Sequence, residues 1–210
     1  MKNIYIVLIK AHTGLGSAAR KITRYEYTHT AVSLNGSLTD FLSFSRRRHY
    51  MPFDAGFMHE KRDFYAFGKH TFFKAKVFRL NITDENFSRV MKFIRKCESD
   101  TELIFNLISM ATMPVFHGIN IPKAYNCMSF TAGILQLSGV KLGKPFYKYS
   151  VKDIDELLSD KCIFEGNLQR IPSSEYEEYM KKCPPLEYFI LLSNLTVIKS
   201  RRIKNLKIRS

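Results

Sequence analysis

The sequence predicts an α+β fold, an antiparallel sheet packed by helices. Three observations predict it. The chain opens on a short β-branched apolar run, a strand-like pair brackets the Asn35-Gly36 dipeptide, and helical periodicities dominate from about residue 83 onward. Strands gathered early and helices gathered late argue against alternating βαβ units.

Met1 to Lys10 reads as a buried strand, because Ile4 to Ile9 is continuously apolar and rich in Ile and Val. The run is too short for a secretory leader and Lys10 closes it without a small-residue cleavage site. Gly14 and Gly16 suggest a turn, after which Ser17 can cap a short helix reaching about Tyr25. Two glycines do not make the dinucleotide fingerprint, which needs a third.

His29 to Leu34 is strand-like, Asn35-Gly36 is a strong hairpin signal, and Leu38 to Phe44 continues as a strand. Alternation places His29, Ala31 and Ser33 on one face. Arg46-Arg47-Arg48-His49 forms a basic cluster and Met51 to Gly56 reads as a loop. Phe64 to Phe67 and Thr71 to Leu80 look like strands.

Thr83-Asp84-Glu85 opens a helix with a capping hydroxyl and first-turn acids, and Phe87, Val90, Met91 and Ile94 supply its apolar stripe. Glu102 to Met113 reads as a buried helix ended by Pro114. A loop then leads to Ala124-Tyr125-Asn126-Cys127, and Met128 to about Gly139 is helical with Gly139 as its stop. Val151 to Leu158 is a further short helix. Pro184-Pro185 marks a boundary, which divides the chain into a domain over 1–185 and a basic, partly apolar C-terminal extension over 186–210. No internal repeat is visible.

The chain has 210 residues, enough for one full core, and its 45% apolar and 25% charged residues are ordinary for a globular protein. Lys and Arg number 33 against 19 Asp and Glu, a net charge of +14 that favours anionic surfaces. The aromatics do not interleave with the basic residues as a nucleic-acid stacking platform needs, so the extension's expected partner is an anionic membrane surface and nucleic acid is not expected. Cys97, Cys127, Cys162 and Cys183 are widely spaced, with no C-x-x-C pair. Reduced thiols and a cytoplasmic location, peripheral to a membrane, are the expectation. The histidines show no metal-ligand spacing, and no metal or cofactor is expected.

Cys127 stands where a loop meets a helix N-terminus. Unpaired N–H groups and the helix dipole there favour an anion, both a thiolate and a developing oxyanion. A thiol nucleophile needs a base, and His29 on its strand is the best placed. Tyr125 and Asn126, beside the thiol, are candidates for binding an oxyanion or substrate.

Tyr27 to Leu34, Phe41 to Arg46 and Tyr125-Asn126-Cys127-Met128-Ser129-Phe130 resemble the permuted NlpC-like branch of papain-fold enzymes, which includes lecithin retinol acyltransferase-like and bacterial YiiX-type proteins. In that branch the His strand precedes the Asn-Cys helix, as here. Gly56-Phe57-Met58-His59-Glu60 echoes a Gly-Phe-x-x-Glu segment of one bacterial group. The resemblance spans roughly residues 1 to 170. It implies a permuted papain-like fold and a cysteine hydrolase or acyltransferase acting on a peptide or lipid acyl substrate. It also implies a third residue on the strand after the His, for which Ser43 is the best match and Ser45 and Asp40 are alternatives. A degenerate, non-catalytic module on the same fold is the competing expectation.

Overall fold

The computed structural model describes residues 1–51, 54–116, 118–184, 186–187, 189–190 and 193. Most of the expected extension over 186–210 therefore lies outside the described residues.

The fold is α+β. Six strands form one antiparallel sheet in the order β4-β3-β2-β1-β5-β8. They are β1 (Lys2–Ile9), β2 (His29–Ser33), β3 (Asp40–Arg46), β4 (Ala55–Lys61), β5 (Phe72–Ile82) and β8 (Cys162–Gln169). A second, two-stranded parallel pair joins β6 (Ile104–Phe105) to β7 (Ala124–Tyr125). The helices are α1 (Gly14–Thr23), α2 (Arg62–Tyr65), α3 (Asp84–Ser99), α4 (Leu107–Phe116), α5 (Cys127–Leu137), α6 (Val151–Leu157) and α7 (Tyr176–Met180). None of the described helices is long and apolar enough to cross a membrane.

The first strand is central because both of its faces are apolar. Ile4, Ile6 and Leu8 join a large cluster with Phe78, Leu80, Val90, Ile94, Phe130 and Ile134, which α3 and α5 cover. Val7 and Ile9 join a second cluster with Ala31, Phe41, Tyr65, Phe73 and Val77. A continuous apolar run is what a strand buried on both faces requires. Ala31 lies in that second cluster and Val32 in the first, as the alternation of β2 predicts.

Several local expectations change. The first helix begins at Gly14, earlier than the Ser17 cap predicted, because Thr13 Oγ1 accepts from Gly16 N–H at 3.0 Å. A Cβ at Gly16 would come within 2.8 Å of Ala11 O, so the close approach of chain there needs glycine. Strand β3 starts at Asp40, since Leu38 takes a left-handed φ of 52° and widens the Asn35-Gly36 turn. Phe64 to Phe67, predicted as a strand, begins in α2 instead, and the edge strand β4 lies just before it over residues assigned partly to a loop. The Phe64 and Tyr65 rings look like strand residues because both are buried, on Tyr179 and on the second cluster. Helix α4 runs past Pro114 to Phe116. The last sheet strand, β8, reads poorly as a strand because its side chains are mostly exposed and follow no alternation.

The buried helix expected from Glu102 begins only at Leu107, because Ile104 and Phe105 pair with β7 as strand β6. Two other predicted boundaries hold. Thr83 caps α3 through Asn86 N–H, and Gly139 takes a left-handed φ of 90° just past α5. Polar cross-links fix the sheet edge: Tyr27 donates to Glu165 at 2.7 Å, Tyr25 to Asp155, and Lys76 pairs with Asp155 at 2.9 Å.

Candidate functional site

Cys127 is the first residue of α5, and Asn126 is its cap. Asn126 Oδ1 accepts from Ser129 N–H at 2.8 Å, and Ser129 Oγ accepts from Asn126 N–H at 3.0 Å, closing a reciprocal capping box. Phe130 N–H is satisfied by Asn126 O. The N–H groups of Cys127 and Met128 are left as the donors of the first turn. Helix α5 is anchored to the sheet by a buried hydrogen bond from Thr30 Oγ1 to Thr131 Oγ1 at 3.2 Å. This bond ties β2, the strand that carries His29, to α5.

The imidazole of His29 meets two polar side chains at one nitrogen. Its Nε2 lies 2.9 Å from Glu60 Oε2 and 3.4 Å from Ser43 Oγ. Cys127 lies near the same ring, close enough for its charge to favour the protonated imidazole. Burial works against a charged ring, but Glu60 and Cys127 outweigh it, and the His29 pKa is raised to about 10.

Glu60 is 5% exposed. Burial pushes its carboxyl up, yet the His29 charge and hydrogen bonds from His29, Ser45 and Tyr65 win, and the net direction is downward. Tyr65 Oη donates to Oε2 at 2.8 Å and Ser45 Oγ donates to Oε1 at 2.8 Å. A buried carboxylate with this set of donors stays ionised, and a buried ion is tolerable only when so paired.

The sequence-predicted residues therefore fall into three groups. Cys127, His29 and Ser43 come together. Asn126 shapes the site by capping α5; its Nδ2 is fully buried and has no hydrogen-bond partner among the described residues. Tyr125 is placed differently: its ring packs on Phe44, Phe93 and Phe146, so it is built into the aromatic core. Of the alternatives for the third position, Ser45 reaches Glu60 and not the ring, while Asp40 pairs with Lys61 and His59.

Glu60 is the residue that sequence reasoning missed. It stood in the Gly56-Phe57-Met58-His59-Glu60 segment, but its role comes from register. In the β3–β4 ladder Ser43 pairs with Met58 and Phe41 with Glu60 itself, so one face of the two strands carries Phe41, Ser43, Ser45 and Glu60. Alternation along β4 would have put Glu60 and not His59 on the His29 side.

The site is nearly closed. Cys127 is 5% exposed and the His29 side chain 13%. A cavity of about 250 Å³ lies elsewhere, between the β3–β4 end and residues 171–175, with Asp40, Lys61 and Arg62 in its wall and neither Cys127 nor His29.

No protein-family model, no curated protein and no solved structure matches this chain.

Proposed function

We propose that this chain is a cysteine-nucleophile hydrolase or acyltransferase on a permuted papain-like, NlpC-like fold, acting on an amide or ester. One observation carries the reading: an imidazole hydrogen-bonded to a buried carboxylate lies close enough to a cysteine at a helix N-terminus to feel its charge. The chain order, His strand before Cys helix, agrees with it.

In this reading Cys127 attacks in its thiolate form, with its proton held on His29. The Sγ lone pair attacks the carbonyl carbon, and the carbonyl π electrons move to oxygen. The oxyanion forms beside the Cys127 and Met128 N–H groups, which need no reorganisation to meet it. Asn126 Nδ2, fully buried, reaches a substrate oxygen less readily. The intermediate collapses as the leaving group takes the proton from His29. Acylation removes the thiolate charge, one of the causes that hold a proton on the ring, so the imidazole is then freer to act as base. Water or an acceptor hydroxyl or amine gives its proton to His29 and attacks the thioester, and Cys127 leaves as thiolate. Glu60 fixes the ring's tautomer and orientation throughout.

Both peptide and lipid acyl groups fit this chemistry. The chain beside the site favours an apolar substrate: residues 103–122 contain no Asp, Glu, Lys or Arg, and Leu107, Met110 and Met113 of α4 pack into the cluster that holds Cys127. Activated esters test the proposal. A p-nitrophenyl ester should leave an acyl group on Cys127, seen by peptide mass spectrometry and absent from Cys127→Ala, with octanoate faster than acetate. Equal ester turnover by Cys127→Ala would refute it.

A further inference from the structure

We infer that Tyr65 is a positioning residue of this site, fixing where the Glu60 carboxylate lies and moderating its pull on His29. The inference rests on the reading of Cys127 and His29 as a nucleophile and its base.

The two carboxylate oxygens of Glu60 are used differently. Oε2 is shared by His29 Nε2 at 2.9 Å and Tyr65 Oη at 2.8 Å, while among the described residues Oε1 takes Ser45 Oγ alone. The phenol therefore competes for the same oxygen that faces the imidazole. A donor on that oxygen spreads its negative charge and holds it at a fixed distance from the ring. Tyr65 keeps its proton to do so, since burial and the neighbouring carboxylate both push its ionisation well above the ordinary range.

The position of the phenol is over-determined. Tyr65 is 6% exposed, and its ring centroid lies 5.5 Å from Phe41, 5.1 Å from Phe73 and 5.8 Å from His29. It is delivered by α2, a single turn that starts two residues after Glu60. That turn is pinned from outside by the chain after β8. Phe64 stacks on Tyr179 with centroids 4.0 Å apart and planes 3° apart, and the buried Asp63 accepts from Ser173 N–H at 2.6 Å and Ser173 Oγ at 3.0 Å. A phenylalanine would fill the same packing, so the hydroxyl is what the position adds.

The test is a pH titration of His29 by ¹⁵N-imidazole NMR in the Cys127→Ala protein, where no thiolate acts on the ring; the signal is assigned by its loss in His29→Gln. Tyr65→Phe should move the His29 midpoint upward by about half a pH unit, the scale of one neutral hydrogen bond. Ser45→Ala, which strips a donor from the far oxygen, should move it less. In the Glu60→Gln background, Tyr65→Phe should move nothing. An unchanged midpoint in Tyr65→Phe, or the same shift with and without the Glu60 carboxylate, would overturn the inference. The titration needs no turnover, so it fails or succeeds separately from the acylation of Cys127.

Discussion

His29 keeps a proton that burial alone would remove. The Glu60 carboxylate and the Cys127 side chain reverse the direction, and the coupling makes stability depend on pH in a definite way. A folded-state pKa raised from 6.5 to about 10 contributes stability that is complete below 6.5 and fades as pH rises toward 10. Glu60 has the opposite sense: its lowered pKa contributes above its ordinary 4.5 and is lost as pH falls. The two contributions overlap fully between 4.5 and 6.5. Urea unfolding across pH should therefore show Glu60→Gln most destabilised relative to the native chain in that window, with the gap narrowing toward pH 10. A gap independent of pH would show that the pair is not coupled. Cys127 and His29 were legible from sequence because their signals are local: a thiol after a capping Asn, a histidine at the head of an alternating strand. Glu60 was not, because its meeting with His29 depends on how two neighbouring strands pair.

Elements position these groups, and their stability shows where the site is supported. Asn126 holds two donors of the first turn of α5, one through Oδ1 and one through its carbonyl. Asn126→Ala should cost about 1 kcal/mol in chemical denaturation through the lost side-chain cap. It should also slow any reaction of Cys127, whose backbone it orients. Phe44 on β3 is fully buried and its ring meets Phe57, Tyr125 and Phe130, so it joins the sheet to both α5 and β7. Phe44→Ala should cost about 3–5 kcal/mol in the same measurement; a loss under 1 kcal/mol would mean the cluster repacks freely. Strand β1, helix α3 and helix α5 were readable because burial pattern, caps and stops agreed over their whole length. The short α2 was not, since one turn carries no period and its buried Phe64 and Tyr65 mimic a strand. The exposed β8 was missed for the opposite reason, having little buried pattern to read.

At the scale of the whole molecule, the six-stranded sheet sets His29, Ser43, Ser45 and Glu60 on three neighbouring strands and brings α5 against them. The antiparallel order was predictable in kind, though not in sequence, because β1 pairs with β5 across three intervening strands. Net charge acts at this scale too. With +14 distributed over 210 residues, the chain should float with anionic vesicles at low ionic strength and release as salt rises, while neutral vesicles should not retain it. Flotation indifferent to salt would count against an electrostatic membrane partner. The reactivity of one thiol decides the proposed chemistry. Four cysteines differ sharply in setting: Cys97 is buried with its pKa raised to about 12, and Cys162 is exposed on an edge strand. Labelling with a small electrophile near neutral pH, read cysteine by cysteine by mass spectrometry, tests it directly. Cys127 should react first despite being 5% exposed, and His29→Ala should slow that one thiol by about a hundredfold or more, the lower range of a positioned base. Labelling that simply follows exposure, with Cys162 first and Cys127 untouched by loss of His29, would contradict the account.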